Sequence, residues 1–177
     1  MLDLVAPSLG LVASFRGLVE EFQERREKPV PFTLAYPSSD PAALVARFER
    51  DSKGIDLPEG FVPHSTYWLV RGGREIVGVS NLRHSLTPFL LREGGNIGYG
   101  IRPSARRNGF GREILRLTLL EARELGLARV LVTCGKGNLG SSRIILGNGG
   151  VFESEEFSAD RSEIVQRYWI DVRESPG

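Results

Sequence analysis

Apolar residues recur along this chain at two spacings, and the change from one to the other divides it into elements. Leu9, Val12, Phe15, Val19 and Phe22 fall at the period of an amphipathic helix, after a short strand-like run from Leu2 to Val5 and the pair Pro7-Ser8. Ser8 is placed to cap that helix, which dissolves in the charged run Glu24 to Lys28 and stops before Pro29. Asp40-Pro41 predicts a second start, a capping side chain followed by proline in the first turn. Its buried face is Leu44, Val45 and Phe48. Pro29 to Ser39 reads as loop, and so does Asp51 to Pro63 with its Gly54, Pro58, Gly60 and Pro63. A loop of that length serves either a site or a surface connection.

From Thr66 the pattern turns to β. Thr66 to Arg71 and Glu75 to Asn81 are strand-like runs separated by Gly72-Gly73, a hairpin signal. Asn96 to Ile101 follows the loop Thr87 to Gly95. A helix from Gly109 to Leu125 carries Phe110, Ile114, Leu117 and Leu125 on one face. Ala128 to Cys134 reads as a strand, Asn138 to Leu146 as a short helix, and Val151 to Phe157 and Glu163 to Val172 as closing strands. The order β-α-α-β-β-β-α-β-α-β-β predicts one α/β domain over 1–177, a mixed sheet with helices on both faces.

Composition narrows the function classes. With 177 residues, 41% hydrophobic and 25% charged, the chain has the make-up of an ordinary soluble globular protein. No apolar run approaches the roughly 18 residues that a spanning helix needs. Asp3 stands where a signal peptide carries basic residues, so a cytoplasmic location without membrane contact is expected. A net charge of +1 argues against a general nucleic-acid binder. Cys134 is the lone cysteine, which excludes an intrachain disulfide, and with two histidines no structural zinc site of the usual kind is expected.

The stretch from Gly98 to Arg112 carries the chemistry. It runs from strand through turn into the start of an amphipathic helix, where the first amides have no partners inside the helix and their dipoles favour an anion. Gly109 and Gly111 allow a ligand close to the backbone. Arg102, Arg106, Arg107, Arg112 and Arg116 face a single acid in that interval, Glu113. Either a polyanion binds here or the arginines are ordinary surface residues; helix starts favour acids, which favours the polyanion. The Walker pattern is absent, Gly98-Tyr-Gly100 lacks the third glycine of the dinucleotide pattern, and Gly135-Lys136-Gly137 is read as a decoy. Gly98 and Gly100 inside a strand mark a bulge, a kink or a close ligand approach.

These residues resemble a known family. Arg106-x-x-Gly109-x-Gly111, preceded by Ile101-x-Pro103, is similar to the acyl-CoA-binding signature of the GNAT N-acetyltransferases, and Asn138 through Phe152 resembles their fourth helix and following strand. Segments from Leu57-Pro58 through Asn81, His84 and Gly94 to Tyr99 resemble a poorly characterised bacterial branch of predicted acetyltransferases. The resemblance implies the GNAT fold, with about seven strands, and direct transfer of an acetyl group from acetyl-CoA to a small-molecule or peptide amine. It implies cofactor contacts from Tyr99, Gly100, Ile101, Arg106, Arg107, Asn108, Gly109, Phe110, Gly111, Arg112, Asn138 and Ser141. A backbone N–H near Gly100 or Ile101 is expected to polarise the thioester carbonyl, and the fourth strand to splay from the fifth. Relatives form homodimers in many cases, so a dimer is an expectation by analogy.

One departure is plain. Many relatives carry a tyrosine in the fourth helix as general acid, and here that position is Ile145. Candidates for the general base are His84, whose unperturbed pKa suits the task, and Glu93 just before the fourth strand. Arg83 beside His84 is suited to a substrate carboxylate. A non-catalytic acyl-CoA-binding domain is the alternative, with Ile145 in its favour.

Overall fold

Four helices and seven strands form among residues 1–173, which the computed structural model describes; the end of the expected 1–177 domain lies outside the described residues. The chain opens with β1 (Leu2–Val5). Ser8 does not cap a helix through its side chain: its carbonyl accepts from the Leu11 amide at 3.1 Å and starts a 3-10 turn. Helix α1 (Val12–Glu24) therefore begins later than the apolar spacing suggests, and it buries Val12, Phe15, Leu18 and Phe22. Helix α2 (Pro41–Lys53) starts as expected, with the Asp40 carboxylate accepting from the Ala43 amide at 3.0 Å. It stops at Gly54, whose φ of +69° suits a residue without Cβ.

Strands β2 (His64–Arg71) and β3 (Glu75–Arg83) form the predicted hairpin, with Gly72 and Gly73 both at positive φ. Strand β4 (Ile97–Ile101) completes an antiparallel sheet of order β1-β2-β3-β4. Trp68, Val70 and Val79 face α1 and α2, where Trp68 stacks on Phe15 at 5.3 Å between centroids. The opposite face packs on α3 (Phe110–Glu124), to which Ser80 is tied by a 2.7 Å hydroxyl contact with Thr118. Helices thus cover both faces.

The remaining strands, β5 (Arg129–Gly135), β6 (Val151–Ser158) and β7 (Glu163–Asp171), make a second antiparallel sheet of order β5-β7-β6, with α4 (Leu139–Gly147) between β5 and β6. The expected sheet is thus divided between β4 and β5, the place where splaying was expected. Asn96 is the joint. Its amide donates to the Leu131 carbonyl at 2.7 Å, its side-chain oxygen accepts from the Leu131 amide at 2.8 Å, and its Nδ2 donates to the Arg83 carbonyl at 3.1 Å. Past this buried joint no ladder links the two strands, and β4 becomes a free sheet edge.

Candidate functional site

That free edge has a definite polarity. The amide of Arg83 donates to the Asn96 carbonyl and that of Arg102 to the Val77 carbonyl. In an antiparallel pair such bonded positions alternate, so the register places Gly98 and Gly100 with their backbone groups toward β3. Tyr99 and Ile101 direct theirs away from β3, into the gap between the sheets. Of the two amides the sequence offered as thioester donors, Ile101 is open and Gly100 is engaged with β3. Tyr99, expected as a cofactor contact, is open with it. Strand parity carries that information, but only once the pairing partner is known.

A cleft of about 610 Å³ opens along this edge. Its walls include Tyr99, Gly100, Ile101, Arg106, Arg107, Gly109, Phe110, Gly111, Arg112, Asn138 and Ser141. Asn108 stands behind the wall, its Nδ2 donating to the Ala105 and Arg106 carbonyls at 3.1 Å each and so shaping the turn. In that turn Arg107 and Gly109 have φ of +64° and +79°. Gly109 precedes α3 and offers no capping side chain, so the first amides of α3 point unpaired at the cleft.

The arginines divide by partner. Arg102 is tied to Glu21 of α1 at 2.7 Å, and Arg116 to Glu113 at 2.8 Å. Arg106 makes a bidentate pair with Glu27 at 3.0 and 2.5 Å across the mouth, and that contact holds the Glu27 carboxyl below its ordinary range. Among the described residues, no carboxylate lies within 4 Å of Arg107 or Arg112. Two uncompensated guanidinium groups therefore share the cleft with free helix amides.

The glycines have distinct reasons. A Cβ on Gly111 would sit 2.6 Å from Ile144 of α4, so the absent side chain lets the two helices close on the cleft. A Cβ on Gly100 would meet the Val30 carbonyl oxygen at 1.9 Å. The close approach that the sequence suggested at Gly100 is therefore made by the chain itself. The segment after α1 lies directly on β4 there.

At the far wall Asn138 caps α4, its Oδ1 accepting from the Ser141 amide at 3.1 Å. Tyr99 Oη and Ser141 Oγ lie 2.9 Å apart, and burial pushes the Tyr99 phenol up to about 12. Ile145, at the position where relatives carry tyrosine, is fully buried in the core. The Tyr99–Ser141 pair is a protonated hydroxyl couple in the cleft.

The structure does not bring His84 or Glu93 to this cleft. His84 follows β3 at the end remote from Ile101, its ring 2.8 Å from Ser65 Oγ and its pKa lowered by burial. Glu93 lies in a π-helical turn (Leu90–Gly94), not the expected open loop, and its carboxylate accepts from Ser158 Oγ at 2.8 Å. Thr133 of β5 donates to the Glu93 carbonyl at 2.7 Å, which places this turn beside the Asn96 joint.

Comparison with known proteins agrees with this geometry. The family model described as "Acetyltransferase (GNAT) domain" matches residues 20–151. No curated protein sequence is matched. Among solved structures, Mycobacterium smegmatis RimJ in complex with CoA-disulfide superposes with a TM-score of 0.73 at 14% identity, over 99% of this chain and 84% of that one. The Salmonella typhimurium acetyltransferase that modifies the N-terminal serine of ribosomal protein L7/L12 gives 0.68 at 17% identity, over 96% and 94%. From the same organism yncA, with its cofactor acetyl-CoA, gives 0.61 at 14% identity, over 99% and 98%. At these identities the superpositions speak for the fold, and the family match, which spans more than half of the chain, settles membership: this protein belongs to the GNAT acetyltransferases.

Proposed function

We propose that the protein transfers an acetyl group from acetyl-CoA to a primary amine by direct attack of the amine on the thioester. The observation that carries this reading is the pairing of unpartnered α3 amides with the uncompensated Arg107 and Arg112 at the mouth of a cleft that runs onto the open edge of β4. A pyrophosphate satisfies both features. Solved neighbours carry CoA or acetyl-CoA, and those with stated acceptors include a protein N-terminus and, for a Vibrio cholerae chimera, spermidine.

In this reading phosphate oxygens accept from the first amides of α3 and from Arg107 and Arg112. Gly109 and Gly111 keep the approach clear, and Asn108 holds the turn. The pantetheine arm pairs with the Tyr99 and Ile101 backbone and passes Asn138 and Ser141 of α4. An open β4 amide donates to the thioester carbonyl oxygen and stabilises the charge that develops as nitrogen attacks, a contribution of about 3 kcal/mol for one well-placed donor. When the carbon–sulfur bond breaks, the Tyr99–Ser141 hydroxyl couple supplies the proton that turns thiolate into thiol. Before attack the ammonium must lose a proton. Glu93, on the turn beside the joint, and His84 are the candidates for that step, and neither lines the cleft.

Calorimetric titration with acetyl-CoA tests the core of the reading. Wild type should bind, and Gly111→Val, which drives a branched side chain into Ile144, should not, while keeping a cooperative melt. Thiol release in the presence of an amine panel then tests turnover. Binding without amine-dependent thiol release from any amine would make the protein an acyl-CoA-binding module instead.

A further inference from the structure

Arg83 is a half-buried guanidinium with no carboxylate to meet it. Among the described residues only its Nη1 makes hydrogen bonds, to the Gly94 and Gly95 carbonyls at 3.0 and 3.1 Å. Among the described residues no acidic oxygen lies within 4 Å of it. Its Cζ lies 5.6 Å from the centroid of the Phe32 ring, on the segment that crosses β4. A charge drawn partly out of water is ordinarily paired, and desolvation pulls this guanidinium down to about 10.

Its surroundings are built for a polar guest. Arg83 shares the α1–α2 face of the sheet with Asn81 and with His64, its register partner on β2. His64 Nε2, which lies 3.8 Å from the Asp51 carboxylate, Asn81 Oδ1 and, on the covering segment, Thr33 Oγ1 are buried without a hydrogen-bond partner. Beside them Gly98 leaves β4 bare. A Cβ there would lie 3.7 Å from Pro31 and 3.9 Å from Arg83 Nη2, ordinary contact distances, so packing does not require glycine at this position. At Gly100 it does. A mid-strand glycine costs stability, and at Gly98 no chain atom uses the space. Gly98 lies two residues, about 7 Å, along β4 from Gly100, which lines the cleft.

We propose that Arg83 and the bare strand at Gly98 form an acceptor subsite that recognises a carboxylate, so that the preferred amines are amino acids or short peptides with a free carboxylate. This rests on the acetyltransfer reading and names its substrate class. Nη1 keeps the turn at Gly94–Gly95 in place, and the rest of the guanidinium receives the carboxylate. Bonds to neutral carbonyls do not need a full charge, whereas a carboxylate does.

The test is thiol release with matched acceptors: glycine, β-alanine and diglycine, each against its own C-terminal amide. Wild type should favour the carboxylate member by on the order of tenfold to a hundredfold in kcat/KM, the range of a charge-assisted hydrogen bond. Arg83→Gln should erase the preference, chiefly through KM, and Arg83→Lys should restore part of it. Should Arg83→Gln fail to fold, Gly98→Ala serves, since its methyl has room in the free protein. It should lower kcat/KM for the carboxylate member at least fivefold while acetyl-CoA titrates as in wild type. Equal rates for the two members in wild type overturn the proposal, as does loss of both members in parallel on Arg83→Gln. Acetyl-CoA binding with no thiol release from any carboxylate-bearing amine overturns it too. Failure of acetyl-CoA itself to bind would instead overturn the acetyltransfer reading beneath it.

Discussion

Substituting Gly100 by alanine isolates the contact between β4 and the segment after α1. The added carbon would lie 1.9 Å from the Val30 carbonyl oxygen and 3.0 Å from its carbonyl carbon. An ordinary contact needs about 3.4 Å, so backbone must yield by more than 1 Å, and no side-chain rotamer relieves it. Insertions of this kind cost about 1–3 kcal/mol in a packed site. For a chain of 177 residues that corresponds to a fall in Tm of roughly 2–12 °C. The cheapest escape is for Val30 and Pro31 to lift off β4, and Val30 lines the cleft. Acetyl-CoA affinity should therefore fall together with Tm. Differential scanning calorimetry and titration calorimetry read the two. A Gly100→Ala protein that melts within 1 °C of wild type and binds acetyl-CoA equally well would refute the packing of this segment on β4.

Three further outcomes follow from the same geometry. Removing the charge of Glu27 in Glu27→Gln frees Arg106 for phosphate and takes an anion from the cleft mouth; the pair is partly exposed, so the gain is that of a surface ion pair, up to about fivefold in acetyl-CoA affinity, and weaker binding would contradict it. Tyr99→Phe should lower kcat by about tenfold or more with little change in acetyl-CoA affinity, and an unchanged kcat would remove the hydroxyl couple from proton transfer. Burial lowers the pKa of both His64 and His84 below their ordinary 6.5, so the unfolded chain binds more protons below that value and stability rises with pH; Tm should climb from pH 5 to pH 7.5 and then level, and a flat profile would contradict the burial of these rings.

What the sequence disclosed was local. The Gly72-Gly73 hairpin, the Asp40-Pro41 start and the Gly109–Gly111 turn each depend on residues close in the chain, and each stands where the pattern put it. Ser8 misled because serine before an apolar helical pattern caps a 3-10 turn as readily as an α-helix, and only tertiary packing decides where the helix proper begins. The uses of the arginines were not legible at all, because Glu27 is 79 residues from Arg106 and Glu21 is 81 from Arg102. Neither the excess of arginine nor its spacing tells which two remain uncompensated.

Asn96 shows why a site can be formed by a sheet that stops. A continuous sheet would satisfy the outward amides and carbonyls of β4 with β5, and a ligand would find no edge. A wholly separated pair of sheets would expose both edges to water and hold nothing between them. Asn96 resolves this by imitating one rung of a ladder: its backbone N–H and side-chain oxygen engage both polar groups of Leu131, while Nδ2 holds the Arg83 carbonyl on the other side. One residue thus fixes the hinge of the wedge with every bond made, and from Ile97 onward the strand is released. Aspartate in its place would present an acceptor where a donor is required, leaving the Arg83 carbonyl unpaired beside a buried charge. The open edge of β4, the turn that carries Glu93 and the backbone of Arg83 all start from this joint, so the spacing between the proposed cofactor edge and the proposed acceptor subsite is set there and not in either helix layer.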